Sequence, residues 1–340
     1  MVRKRLRIAS ESVLGPLLIA GPVSHKLANL ALSLGYFRNT VRYVRSAGRA
    51  PNYIDPTHFS EKMQCRKLFD RNPLIALLCD KLEARAHAEK TAADLRLPKV
   101  YWQGTDPASI PFDDLPIPYV VKSNHGSGAL IAVRDRSGEK RAEIRSRCRR
   151  WLKKPYGRGR GEWGYRNIRR RIYAEELLPA PAGQLYPDDY KFVTIAGRVE
   201  WIEHVHDRNQ THRKTYFDRE WKRIRFRRWQ GIDDPLRMPL EDAPRPPHLD
   251  RMVEIAEKLG SGIDELRVDL YAIGEEIYFG EFTVYEESGM GVAYPEDEVF
   301  DDFPSRGLDR VFGDKWQLVP VPVSAKLASV FLVRNPRPAP

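Results

Sequence analysis

The chain reads as an α+β protein, because its strand and helix patterns are mixed without the regular βαβ alternation that a parallel sheet requires. Two long runs of alternating residues, "YKFVTIAGRVEWIEHVH" and "LRVDLYAIGEEIYFGEFTVY", each carry a glycine turn and predict antiparallel hairpins. Between them "HLDRMVEIAEKLG" has helical spacing, with Leu249, Met252, Val253, Ala256 and Leu259 on one face and a stop at Gly260. At 340 residues the chain is long enough for two or three packed lobes, and 42% hydrophobic with 30% charged residues excludes a disordered or fibrous class.

Along the chain, residues 1–50 form a basic preface in which Leu27, Leu30, Ala31 and Leu34 have helical spacing ahead of Gly35. Prolines 51, 56 and 73 then break the chain into short helices. Asp80 and Glu83 form an N-cap and capping-box pair, so a helix should begin at Lys81, although a lysine in the first turn opposes the helix dipole. From "LPKVYWQG" the reading is strand, loop, strand, followed by a helix over 139–152 that turns Ile144, Cys148 and Trp151 inward. "RIYAEELL" reads as a short strand ending in acids.

Net charge is +11, which suits an anionic partner such as nucleic acid, nucleotide, acidic polymer or the inner membrane leaflet. Cys65, Cys79 and Cys148 are far apart and lack CxxC spacing, so neither a disulfide framework nor a zinc site is expected, and a reducing, cytoplasmic location fits. The apolar stretch near the N-terminus is broken by Gly15, Pro16, Gly21 and Pro22 and reads as neither a signal peptide nor a membrane span. Contact of the basic N-terminus with the inner face of a membrane stays open.

Three constellations carry chemistry. In "YVVKSNHGSGAL" Lys122 precedes the glycines, the reverse of a P-loop. The stretch is either a plain hairpin turn or a flap whose backbone N–H groups close on phosphate oxygens at Gly126 and Gly128, with Lys122 supplying fixed charge. In the last hairpin, a three-residue turn at 274–276 would set Asp269 opposite Glu281 and Arg267 opposite 283. Opposed acids repel unless a cation lies between them, so this face is either a solvated polar face or a Mg²⁺ site with an arginine at the phosphates. The end of "RIYAEELL" is either an ordinary strand end or an exposed edge that holds an adenine ring, with a carboxylate for the ribose.

Taken in order, these parts resemble the ATP-grasp fold, in which two α+β lobes clamp ATP and Mg²⁺. More specifically, "PTHFSEKMQCRKLFDRNPLIALLCDK", "GEWGYRNIRRRIYAEELL", "DDYKFVTIAGRVEWI" and "VDLYAIGEEIYFGEFTVYEESG" resemble the TupA-like ATP-grasp group associated with teichuronopeptide and other cell-surface polysaccharide loci, over residues 51–310. The resemblance implies a basic helical segment at 1–50, a first lobe within 51–174, a second at 175–310 and a tail at 311–340. It also implies that Lys81 and Lys122 bind ATP phosphates, that Ser123 to Gly128, including Gly126 and Ser127, form the flap, and that Glu175, Glu176, Leu177 and Leu178 form the adenine and ribose hinge. Asp269 and Glu281 would hold Mg²⁺, with Arg267 at the phosphates. Thr283 stands where many such enzymes carry Asn as a further ligand, which leaves the number of metal sites open.

The activity so implied is ATP-dependent joining of a carboxylate to an amine through an acyl phosphate, with a carboxylate substrate and a possible anionic polysaccharide acceptor. Two other readings remain. One is a glycosyltransferase or sugar-modifying protein of a polysaccharide locus; the other is an RNA-binding module, suggested by the basic, aromatic run at 145–171. His204 and His206 share a strand face without an evident third ligand, and Asp207 with Arg208 resembles a family pair near the active site.

Overall fold

The computed structural model describes residues 22–137, 139–206, 213–224, 226–228, 243–291, 293–295 and 307–334. Its contacts divide the chain into two compact units. The first comprises 1–70, 228–231 and 287–340, and the second 71–227 and 232–286. N- and C-terminal segments therefore share one unit, and the expected boundary at 174 falls inside a strand of the other.

In the first unit the prolines act as expected, and the helices are α1 (Pro22–Gly35), α2 (Phe37–Ala47) and α3 (Phe59–Phe69). In α1 it is Ala28 and Leu32 that are buried, while Leu27, Leu30 and Leu34 are more than half exposed. Tyr36, Tyr53 and Phe69 meet edge to face or tilted at 5.7–6.4 Å and form the aromatic centre of this unit. Glu61 of α3 ties the loop before it, accepting from the backbone N–H of Asn52, Thr57 and His58 and pairing with Arg49. Burial alone would raise its pKa, but the His58 hydrogen bond, the Arg49 charge and the backbone donors outweigh it and hold the carboxyl at about 2.

The second unit continues with α4 (Pro73–Cys79) and α5 (Lys81–Thr91), then β1 (Val100–Gly104), β2 (Tyr119–Ser123), β3 (Leu130–Val133), α6 (Arg141–Lys153) and β4 (Ile172–Glu176). Its four-stranded antiparallel sheet has the order β1-β4-β2-β3. Ile144 and Cys148 of α6 pack against Tyr119, Val121, Ile172 and Ala174 of this sheet, so the predicted face of that helix is the buried one. Strand β4 lies between β1 and β2, which corrects the expectation of an exposed edge at "RIYAEELL".

A second sheet follows from β5 (Asp189–Ile195), β6 (Arg198–His206), β7 (Arg213–Phe217), β9 (Glu265–Ile273) and β10 (Glu276–Thr283), with the short β8 (Phe226–Arg228), which is not part of it, and α7 (Leu249–Gly260) between β7 and β9 in the chain. Its order is β10-β9-β5-β6-β7, antiparallel throughout. The first hairpin turns at Ala196 and Gly197 as predicted. The last hairpin turns more tightly than predicted, because Ile273 pairs with Glu276 and only Gly274 and Glu275 remain in the turn. A bulge between Phe279 and Glu281 then shifts the register by one and restores Asp269 opposite Glu281 and Arg267 opposite Thr283. Gly280 sits in that bulge, where a Cβ would stand 2.9 Å from the Asp269 carbonyl oxygen, so only glycine permits the approach.

Helices α8 (Gly307–Lys315) and α9 (Val323–Arg334) complete the first unit, and Asp309 accepts from both the N–H and the hydroxyl of Ser60. No helix among the described residues is long and apolar enough to cross a membrane.

The Glu61 tether fixes one expectation. A carboxyl whose pKa falls on folding stabilises above its unfolded value of 4.5, and that contribution disappears as pH falls toward about 2. Glu61→Gln should therefore lose on the order of 2–3 kcal/mol at pH 7, with the gap to the parent closing between pH 4.5 and 2. Denaturant unfolding at several pH values measures both, and a gap independent of pH would contradict it.

Candidate active site

Within the second unit the two sheets face a cavity of about 500 Å³. Lys122 of β2 and Glu175 of β4 line it from one sheet; Lys191 of β5, Arg267 of β9 and Glu281 of β10 line it from the other. Ser127, Gly128, Glu176, Leu177 and Leu178 also reach it. Of the residues predicted to form a site, Lys81, Ser123, Gly126, Asp269 and Thr283 are not on its wall.

Local structure explains that division. Asp80 caps α5 by accepting from Leu82 N at 3.0 Å, and the helix begins at Lys81 as predicted. Glu83 does not close a capping box; it pairs with Arg171 at 2.7 Å. Lys81 extends from the first turn to Glu281, so a position unfavourable for the helix is compensated by an ion pair. Arg85, one turn further on the same face, reaches Glu175 at 3.1 Å. One helix face thus grips an acid on each sheet. Glu175 is buried and also pairs with Lys122, so its carboxylate positions that lysine and is taken up on both oxygens rather than left for a ribose.

The loop after Lys122 is fixed at its base. Asn124 is fully buried: its Nδ2 donates to Asp80 at 2.8 Å and to Arg169 O at 3.0 Å, while its Oδ1 accepts from Arg171 N at 2.7 Å. Its carbonyl also accepts from Lys81 N at 2.8 Å. Ser123 Oγ lies 2.8 Å from both Nδ1 and O of His125, so that hydroxyl is used inside the loop. Gly126 has φ 78°, and a Cβ there would meet the Tyr156 ring at 2.5 Å. Only Ser127 and Gly128 are exposed, with open space beside Gly128. The expected flap over 123–128 is therefore a fixed base with a short free tip.

On the facing sheet, Asp269 accepts from Arg267 Nε and Nη2 at 2.7 and 2.9 Å and from Lys191 Nζ at 2.6 Å. Burial would raise its pKa, but the charges of Arg267 and Lys191 hold it well below the usual carboxylate range. Arg267, largely withdrawn from solvent, lies among acids, pairing with Glu286 at 2.7 Å and lying 3.7 Å from Glu281; desolvation would lower its pKa, but the charges of Asp269 and Glu286 hold it well above the usual range. Lys191 also pairs with Asp189. As donors for a hard cation the two opposed acids differ: Glu281 faces the cavity with its side chain 34% exposed, whereas Asp269 is enclosed by Arg267 and Lys191. One carboxylate that faces the cavity fits Mg²⁺, which is commonly held by one or two carboxylates together with phosphate oxygens. Thr283 is half-buried opposite Arg267 and does not reach the cavity.

Lys191, Arg85 and Asn124 were not singled out from sequence. Arg85 could have been found by its i+4 spacing from Lys81, and Lys191 by the Asp-x-Lys alternation in "DDYKF", which puts two charges on one strand face. His204 stacks on Tyr190 at 4.8 Å and pairs with Asp188 at 3.1 Å. The described residues contain no cluster of three or more His, Cys, Asp or Glu able to hold a metal. Asp207 and Arg208 lie outside the described residues. In the basic run, Tyr156 meets Tyr165 edge to face and Tyr165 meets Tyr285 at a tilt, so these rings are packed against one another.

No curated protein matches the sequence. Among solved structures, N5-carboxyaminoimidazole ribonucleotide synthetase in its ADP complex aligns at 13% identity and TM-score 0.38 over 62% of this chain and 45% of its own. D-Alanine-D-alanine ligase from Helicobacter pylori aligns at 11% and 0.39 over 78% and 68%, and a RimK domain ATP-grasp protein from Sphaerobacter thermophilus at 15% and 0.38 over 71% and 68%. This chain spans about half the length of the synthetase or less. A family model described as TupA-like ATPgrasp matches residues 61–315, three quarters of the sequence and every residue of the cavity wall, and the chain belongs to that TupA-like ATP-grasp family.

Proposed function

We propose that the protein is an ATP-dependent ligase that joins a carboxylate to an amine. The observation that carries the reading is the convergence of Lys122, Lys191 and Arg267 with the open carboxylate of Glu281 on one cavity between two sheets. When bound, ATP would supply the γ-phosphoryl that converts a substrate carboxylate to an acyl phosphate, with Mg²⁺ spreading the phosphate charge, and an amine would then take the acyl group with loss of phosphate and a proton.

The chain's own residues account for the rest. Val120, Leu130, Leu178 and Phe279 give the cavity an apolar wall suited to a purine, and the chain leaving β4 at Leu177 and Leu178 offers backbone groups beyond the paired strand. Lys122, held by Glu175, and Lys191 and Arg267, held by Asp269, present fixed cations where negative charge would collect, so little reorganisation accompanies transfer. Lys81 is positioned to exchange Glu281 for a phosphate oxygen if that carboxylate turns to Mg²⁺. The exposed tip at Ser127 and Gly128 can cover the phosphates and exclude water from a hydrolysable acyl phosphate. The sequence resemblance supports an acceptor in cell-surface polysaccharide or teichuronopeptide-like synthesis, with the carboxylate on an amino acid or sugar acid.

Calorimetry of Mg-ATP on the purified protein beside Glu281→Ala is the primary test. Micromolar binding in the parent, with loss of affinity or of Mg²⁺ dependence in the variant, is expected; a folded parent that binds no nucleotide rejects the reading. Lys122→Met and Arg85→Met separate direct contact from positioning. The first should weaken ATP binding by at least about tenfold, since it removes a cation from the phosphate environment. The second should lower the melting temperature and change ATP affinity less, because Lys122 still holds Glu175. Equal losses of affinity in both would overturn that assignment. Finally, ADP release should require both a carboxylate and an amine, whereas sugar transfer from a nucleotide sugar without ADP would favour a transferase.

A further inference from the structure

We propose that the outer side of α1 and α2 docks the protein on an anionic membrane surface, with Leu27, Leu30, Leu34 and Phe37 entering the headgroup boundary and Lys26, Arg38 and Arg45 meeting lipid phosphates. The inference concerns the first unit and does not rest on the ligase reading.

The first observation is a stripe on the wrong side. Leu27, Leu30, Ala31 and Leu34 have the i, i+3, i+4, i+7 spacing that ordinarily marks a core-facing helix, yet all four are exposed. Phe37, three residues beyond Leu34 and just past the break between the helices at Tyr36, is 62% exposed. A lone exposed leucine needs no explanation, whereas a run of large apolar side chains along one helix side marks an interaction surface.

The opposite side of the helices is already engaged. Ala28 and Leu32 are fully buried, and the Tyr36 hydroxyl lies 2.6 Å from Ser329 Oγ. Asn29 donates to Pro51 O at 3.2 Å and accepts from Tyr53 N at 2.7 Å, while in α2 the Tyr43 hydroxyl lies 2.8 Å from Ser60 Oγ. Turning the leucines inward would break these contacts, so the stripe is an outer face of the folded unit.

Charge identifies the occupant. No acidic residue occurs between Glu11 and Asp55, and the cations of that stretch are Lys26, Arg38, Arg42, Arg45 and Arg49. Arg49 turns to Glu61 and Asp309. Lys26, Arg38 and Arg45 are exposed and, among the described residues, pair with no carboxylate. Arg38 and Arg45 stand two turns apart on one side of α2. A two-fold contact with a second copy would set this acid-free, cationic surface against itself, which like-charge repulsion opposes. An anionic bilayer satisfies both features, because apolar side chains enter the acyl boundary while cations remain at the phosphates. No helix among the described residues is long and apolar enough to cross the membrane, so the contact lies on its surface.

Flotation of the full-length protein with vesicles tests this, using equal parts phosphatidylglycerol and phosphatidylcholine beside phosphatidylcholine alone. The parent should float with the mixed vesicles, release as salt rises and bind the neutral ones far less. Two double variants, Leu30→Ser with Phe37→Ser and Arg38→Glu with Arg45→Glu, should each lower the partition coefficient by at least about tenfold. Both should keep the parent's melting temperature, since the altered side chains are exposed. Because Arg3, Lys4, Arg5 and Arg7 precede α1 in the sequence, substitution within α1 and α2 separates their contribution from that of the N-terminus. The proposal fails if the parent does not bind mixed vesicles, or if either double variant floats as the parent does. It also fails if sedimentation reveals a dimer that the serine substitutions split, which would assign the stripe to a second copy.

Discussion

Two carboxylates, Asp269 and Glu281, oppose each other across a strand pair, and much of the second unit answers that constraint. Like charges at such spacing destabilise a sheet unless cations intervene. Arg267 and Lys191 enclose Asp269, Lys81 crosses from α5 to Glu281, and Arg267 is in turn anchored by Glu286. Each cation is held by an acid, yet Lys122, Lys191, Arg267 and Glu281 all remain at the cavity wall. On the proposed reading a nucleotide with its metal would enter by exchange, its phosphates taking up the cations and its metal the acid.

The same economy shapes the other wall. Helix α5 is short, but Lys81 and Arg85 on one face bind an acid on each sheet, and Asp80 at its cap holds Asn124 at the base of the loop. The helix start, the loop and β4 are consequently one hydrogen-bonded assembly. Within 123–128 only Ser127 and Gly128 are exposed, a short tip carried on a hydrogen-bonded base.

In the first unit, by contrast, buried charge is gathered around an apolar and aromatic core. Glu61 and Asp309 are met by dense sets of backbone and side-chain donors, whereas Lys62 and Lys326 meet carbonyls beside a cavity.

The amino-acid pattern alone determined the α+β class, the helix start at Lys81, the buried face of α7 and the opposition of Asp269 to Glu281, because these depend on local periodicity and caps. It placed the last turn one residue too long, and the opposition survived because the bulge at Gly280 made up the difference. Tertiary structure decided what local spacing does not encode: that β4 is internal, that Glu175 clamps Lys122, that Gly126 packs under Tyr156, and that Lys191 meets Asp269. Strand order and ion-pair partners arise from contacts between residues distant in the chain, and a charged residue's sequence neighbours do not specify which opposite charge will reach it in the folded protein.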